Sequence, residues 1–169
     1  MKVAFSSDNH FDLNKINVER AMRAQALYLL NKNVNVYVIA GDLFNDFKQS
    51  LAFARNMQDL VKNKLTIRFL AGNHDMGKNV TYEELESDID ELYFHNKYID
   101  LTDDIRLIGN NGWYDYSFVG NDYTEEEIQS FKNSYWYDRR IKQPITDKER
   151  FNINLKQIKD QLLAAGNKQ

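Results

Sequence analysis

The sequence predicts an α/β fold with a parallel sheet, and two observations support this prediction. Three short apolar runs, at residues 3–5, 36–40 and 65–71, are rich in β-branched and aromatic side chains, which is typical of strands buried in a sheet. Stretches with helical spacing of apolar residues separate these runs. Because strands that alternate with helices pair in parallel through right-handed crossovers, we expect one parallel sheet with flanking helices.

The two helices between these strands have recognisable starting residues. Asn14 or Asn17 can cap the first helix, whose apolar residues continue to about residue 29. Asp46 can cap the second helix, which we expect from about residue 48 to about residue 62. Each helix is long enough to cross from the end of one strand to the start of the next.

Three later Thr-x-x-Glu patterns have the form of a capping box, which predicts the start of a helix. They begin at Thr81, Thr124 and Thr146. The first of these helices is expected to reach about Leu92, and the last is expected to end at Gly166. Two further strands are predicted at residues 98–101 and 105–109, and an aromatic-rich loop follows them.

Composition limits the classes of protein to consider. The 169 residues are enough for one domain with a proper core, so residues 1–169 are expected to form a single domain. The net charge of −3 gives no electrostatic reason to favour nucleic acid or an anionic membrane as partner, although local basic patches remain possible. With no cysteine, no leader pattern and no apolar stretch near the ~20 residues of a membrane span, we expect a cytoplasmic protein.

A short polar cluster follows each of the first three predicted strands, at residues 7–10, 41–44 and 72–75. The carboxyl ends of parallel strands meet at one edge of a sheet, where ligands bind in open α/β folds. Carboxylate, imidazole and amide oxygen ligands suit hard or borderline divalent ions, so the sequence predicts a metal site at this edge. The candidate residues are Asp8, His10, Asp42, Asn73 and His74.

In order and spacing, the motifs Asp8-Asn9-His10, Gly41-Asp42 and Gly72-Asn73-His74-Asp75 resemble those of the calcineurin-like metallophosphoesterases. The resemblance implies hydrolysis of phosphate mono- or diesters by a metal-bridging hydroxide at a dinuclear centre, which could contain manganese, iron, zinc or nickel. It also implies a role for each residue. Asp8 and His10 would hold one ion, Asp42 would bridge both, Asn73 would bind the second through its amide oxygen, and His74 would be catalytic.

Two features depart from this family's pattern. Asn45 stands where relatives often have an aspartate that orients the catalytic histidine. The Gly-His-x-His segment that completes the family's metal cage is missing, since His95 is the only histidine after His74. We therefore expect a metallophosphoesterase-like sheet truncated before the second half of the usual β-sandwich, with weak metal binding and little turnover by the isolated chain.

Two alternatives remain open at this stage. The chain could be a metallo-nuclease of the DNA-repair type, which would act on nucleic acid with an ATPase partner, or a non-catalytic shortened paralogue that acts through a partner. An open sheet edge could also allow self-association. Trp113, Tyr114 and Tyr116 could form a stacking face or cover a core, so they are given no role.

Overall fold

The predicted parallel sheet is present in the computed structural model, which describes residues 1–120 and 122–168. Its strands are β1 (Val3–Ser6), β2 (Val36–Ala40) and β3 (Thr66–Leu70), in the spatial order β1-β2-β3. Both neighbouring pairs are parallel, and their register places Ser6 beside Ile39 and Ala40 beside Leu70. The carboxyl ends of all three strands therefore lie at one edge, as the sequence predicts.

The helices between these strands also confirm the prediction. Helix α1 (Val18–Asn31) is capped by Asn17, whose side chain accepts a hydrogen bond from the Arg20 amide at 2.9 Å. Helix α2 (Phe47–Val61) is capped by Asp46, which accepts from the amides of the first helical turn. These side chains satisfy amide groups that have no partner within their own helix.

The hydrophobic core lies between one face of the sheet and α2. Ile39, Ile67 and Phe69 on the strands are fully buried, as are Ala54 and Met57 on the helix. Burying a large apolar side chain contributes about 1.5–3 kcal/mol, so this interface is a main source of stability for the first half of the chain.

The helix that follows Thr81 is shorter than predicted. Helix α4 (Tyr82–Leu85) has the expected capping box but ends well before Leu92, so that prediction was wrong. The reason is that residues 92–94 pair with β3: the Phe69 amide donates to the Leu92 carbonyl at 2.9 Å, and the Phe94 amide donates to the Phe69 carbonyl at 2.8 Å. This pairing covers part of the β3 edge, whereas β1 forms the opposite edge of the sheet.

The second half of the chain contains a hairpin and two longer helices. Strands β4 (Lys97–Asp100) and β5 (Arg106–Gly109) pair antiparallel in a separate two-stranded sheet. The helices are α5 (Glu125–Tyr135) and α6 (Asp147–Ala165), each of which begins at its predicted capping box. In the part of the chain that the structure describes, no helix has both the length and the apolar character needed to cross a membrane.

Helix α6 packs through polar residues as well as apolar ones. Asp147, Arg150 and Asn154 are buried, whereas Leu162 and Leu163 near its end are 57% and 80% exposed. The spacing of the apolar residues in this helix therefore does not identify the residues on its buried face. Asp147 is buried because its carboxylate binds the Lys132 ammonium at 2.6 Å and the Trp113 indole nitrogen at 2.8 Å.

Candidate metal centre

The loops that follow β1 and β2 run side by side at the carboxyl edge of the sheet. The amides of Asp8 and His10 donate to the carbonyls of Gly41 and Asp42, at 3.2 and 3.0 Å. Asp8, His10 and Asp42 all have left-handed backbone conformations, with φ angles of 54°, 44° and 56°. Such conformations cost free energy for residues other than glycine and are concentrated at functional sites.

A buried carboxylate joins the second of these loops to the third. Asp75, in the short helix α3 (Asn73–Met76), accepts hydrogen bonds from four backbone amides and from the Ser50 hydroxyl. The amides belong to Asp42, Leu43, Phe44 and Gly72, at 2.6, 3.2, 3.3 and 2.8 Å. Burial raises the pKa of Asp75 to about 6 against the effect of these bonds. Because all five partners are donors, the surroundings suit the ionised carboxylate.

Three side chains with metal-binding chemistry converge where the loops meet. His10, Asp42 and His74 each offer one donor atom, and these atoms lie within 4.8 Å of one another. Nε2 of His10 is 4.0 Å from Oδ2 of Asp42, and its buried Nδ1 has no hydrogen-bond partner within the described residues. Donors that share an ion at ~2.1 Å lie roughly 3–4 Å apart, so a small movement of these side chains would bring the group to the spacing of a divalent cation site.

The other two predicted ligands have different surroundings. Asp8 is exposed and does not join the three-residue group, although its backbone lies beside Gly41. Asn73 donates from its side-chain nitrogen to Oδ1 of the buried Asp138 at 2.6 Å, and this bond leaves its amide oxygen for another partner. Asp138 also accepts from the Tyr114 hydroxyl at 2.7 Å, so its position is fixed from two sides.

Several groups hold His74 in place. Its Nδ1 lies 2.6 Å from Oδ1 of Asn45, so Asn45 does contact the histidine that the sequence singled out. The Tyr137 ring stacks on it at a centroid distance of 3.9 Å, and the His74 amide donates to Oδ1 of Asp42 at 2.9 Å. Burial lowers the pKa of His74, the Asp42 carboxylate opposes this, and the neighbouring His10 adds to it.

Three residues that contact this site were not predicted from the sequence: Asp12, Tyr137 and Asp138. Asp12 stands two residues after His10, and that short spacing could have drawn attention to it; its carboxylate accepts two hydrogen bonds from Asn45. Tyr137 and Asp138 lie in a 3₁₀ helix (Tyr137–Arg140) more than sixty residues after the motif they contact. No local pattern marks them.

Three aromatic side chains line part of a cavity of about 430 Å³ beside Asn73. Tyr114 stacks between Trp113 and Trp136, with centroid distances of 4.9 and 5.3 Å, and all three line this cavity. Tyr116 is not in its lining and instead hydrogen-bonds Asp147. Two of the three aromatic residues that the sequence left without a role therefore lie next to the candidate centre.

Comparison with known proteins identifies the family. A family model described as calcineurin-like phosphoesterase matches residues 1–166, so the match extends well beyond the motifs, which end at Asp75. The chain therefore belongs to the calcineurin-like phosphoesterases, which act on phosphoester substrates with divalent metal ions. Neither the curated proteins nor the solved structures that were searched gave a match.

Proposed function

We propose that this chain hydrolyses phosphate mono- or diesters at the carboxyl edge of its sheet. Two divalent ions would be held by Asp8, His10, Asp42 and Asn73, and manganese, iron, zinc and nickel all suit these ligands. The observation that supports the proposal best is the convergence of His10, Asp42 and His74 in a member of this family. Divalent ions held by these residues would polarise phosphoryl oxygens and lower the pKa of bound water.

The proposed role of His74 is to protonate the leaving oxygen of the ester. Because Nδ1 contacts Asn45, Nε2 is the ring nitrogen left to face a substrate. Acid catalysis of this kind typically contributes about 10²–10⁴ in rate, and we expect a loss of that size when the imidazole is removed. The stacked Tyr137 ring keeps the imidazole in place between turnovers.

Asp138 and the aromatic cavity complete the proposed site. Since a carboxylate can only accept hydrogen bonds, Asp138 holds the Asn73 amide with its nitrogen towards Asp138 and its oxygen away from it. The cavity lined by Trp113, Tyr114 and Trp136 begins at Asn73 and has room for the organic part of an ester. It thus gives the non-reacting portion of the substrate an apolar surface close to the phosphorus.

The test combines Mn²⁺ binding with hydrolysis of p-nitrophenyl phosphate and bis(p-nitrophenyl) phosphate. We expect weak binding and slow turnover by the chain, since the four proposed ligand residues are shared between two ions and leave much of each coordination shell to water. Asp42→Asn should lose both binding and hydrolysis, and His74→Asn should keep Mn²⁺ binding but lose hydrolysis. Asp103→Asn, in the exposed loop between β4 and β5, is the control.

Two outcomes would contradict the proposal. Hydrolysis by Asp42→Asn at the wild-type rate would separate the activity from this site. Loss of Mn²⁺ binding in His74→Asn as complete as in Asp42→Asn would make His74 a ligand instead of the acid. Single- and double-stranded DNA belong in the same assay, and the net charge of −3 leads us to expect the small esters to be better substrates.

A further inference from the structure

A continuous chain of hydrogen bonds leads from Asp12 through Asn45 to the candidate acid His74. Oδ2 of Asp12 accepts from the backbone amide of Asn45 at 2.9 Å and from its side-chain Nδ2 at 3.0 Å. Oδ1 of Asn45 lies 2.6 Å from Nδ1 of His74. The second oxygen of Asp12 accepts from the Leu13 amide at 2.9 Å, which fixes the carboxylate itself.

The direction of each hydrogen bond follows from the chemistry of Asp12. An ionised carboxylate can only accept, so the side-chain atom of Asn45 that faces it must be the NH₂ group. The other end of the same amide, the oxygen, must then face His74. Because an amide oxygen can only accept, Nδ1 of His74 must carry the hydrogen.

We propose that Asp12 is a positioning residue that acts through Asn45 to fix the tautomer of His74. With the proton held on Nδ1, the lone pair of the neutral ring is on Nε2, the nitrogen that does not contact Asn45. Nε2 then takes up the second proton that forms the imidazolium, and donation of that proton to a leaving oxygen returns the ring to the Nδ1–H form. Asn45 carries no charge, so the negative charge behind His74 comes from Asp12, at the far end of this hydrogen-bond chain. The catalytic consequence rests on the proposed function, whereas the tautomer is a property of the metal-free protein.

The other groups that hold His74 cannot account for this choice of tautomer. The Tyr137 ring contacts a face of the imidazole, which both tautomers share. The hydrogen bond from His74 to Asp42 uses the backbone amide, which is independent of the ring. Free histidine in water prefers the proton on Nε2, so loss of the Asp12–Asn45 contact should return the ring towards that form.

The test is the long-range ¹H–¹⁵N NMR spectrum of metal-free protein labelled at histidine nitrogen, recorded well above the pKa of histidine. The wild-type chain should show His74 protonated on Nδ1. Asp12→Ala and Asp12→Ser should both shift the ring towards the Nε2–H form. Serine can still accept from the Leu13 amide but is too short to reach Asn45, so it separates this contact from the local turn.

Asn45→Asp provides the matched control, because a carboxylate at this position accepts from Nδ1 whichever group stands behind it. In that background, adding Asp12→Ser should leave the Nδ1–H form unchanged, so the effect of Asp12 should disappear. Asp103→Ser should change nothing in either background. An Nε2–H ring in the wild-type chain would overturn the inference, and so would an unchanged ring in a folded Asp12→Ser variant.

A hydrolysis assay separates this inference from the proposed function. If the His74 imidazolium donates its Nε2 proton, Asp12→Ser should lower kcat about tenfold for phenyl phosphate, whose phenolate is a poor leaving group, and less for p-nitrophenyl phosphate, whose leaving group needs little protonation. A shifted tautomer with no change in kcat would support the positioning role of Asp12 and contradict the catalytic role of His74. Reduced kcat with an unshifted tautomer would overturn the positioning role.

Discussion

Replacing Asp75 with asparagine should destabilise the protein because it replaces one buried hydrogen-bond acceptor, a carboxylate oxygen, with a donor, the NH₂ group. Oδ1 of Asp75 accepts from three donors and Oδ2 from two, the amides of Asp42 and Gly72. The best orientation of an asparagine keeps its oxygen with the three donors and turns its NH₂ group towards those two amides. Each buried donor left without an acceptor costs about 1–3 kcal/mol, so Asp75→Asn faces a cost of about 2–6 kcal/mol.

The charge of Asp75 places the expected loss at the lower end of that range. Burial raises the pKa of this carboxyl to about 6, so its ionised form carries a desolvation cost that asparagine avoids. We therefore expect a loss of about 2–3 kcal/mol, a large part of the roughly 5–15 kcal/mol that stabilises a typical domain. Urea unfolding of the wild-type chain and the variant measures this difference.

The control for this experiment is Asp103→Asn, an exposed substitution that should stay within about 0.5 kcal/mol of the wild-type chain. A loss below about 1 kcal/mol for Asp75→Asn, with an unchanged urea dependence, would refute the reasoning. It would mean that the burial cost of the charge nearly cancels the loss of the two hydrogen bonds that asparagine cannot accept.

Three further measurements test other parts of the structure. His10→Ala should weaken Mn²⁺ binding about tenfold or more, and calorimetry that finds unchanged affinity would contradict its role as ligand. Gly41→Ala should cost about 2–4 kcal/mol because its φ is +87° and a Cβ would lie 2.5 Å from a backbone nitrogen, whereas Gly112→Ala, with φ +70° and open space, should cost less. Although burial opposes it, the hydrogen bond from Lys132 helps to hold the pKa of Asp147 below its ordinary 3.8. The ionised carboxylate of Asp147 then stabilises the fold above that pH, and this stabilisation is lost as the pH falls below it. Because Asp147→Asn removes the titrating group, the acid unfolding curve of this variant, followed by near-ultraviolet circular dichroism, should lack that component.

Local sequence signals predicted most elements of this fold correctly. The second strand was expected at residues 36–40 and lies there, and Asp46 caps the helix that it was expected to cap. These features depend on side-chain shape and on hydrogen bonds between neighbours. The helix after Thr81 was predicted too long because Tyr93 and Phe94 pair with Phe69, and a contact over more than twenty residues leaves no mark on local periodicity.

The candidate site likewise has one part that the sequence predicts and one part that it does not. The three motifs predicted that Asp8, His10, Asp42, Asn73 and His74 would meet, because parallel strands bring their carboxyl ends to one edge. Donor atoms of His10, Asp42 and His74 do lie together there, whereas Asp8 is not in that group. The motifs could not predict that Asp138 would orient Asn73 from 65 residues away, or that Asp12 would contact Asn45. These contacts depend on where later segments pack, and a single sequence does not record that.

Part of the lining of the aromatic cavity beside Asn73 can be changed without replacing any of the proposed metal ligands. Its aromatic lining comes from Trp113, Tyr114 and Trp136, whereas the strand-end loops are tied together by Asp75 in the first half of the chain. Libraries randomised at Trp113 and Trp136 would therefore vary the lining of this cavity, with Tyr114 retained because its hydroxyl holds Asp138 and, through it, Asn73. Selection for altered substrates should therefore yield substitutions at these cavity positions before it yields substitutions in the three strand-end motifs.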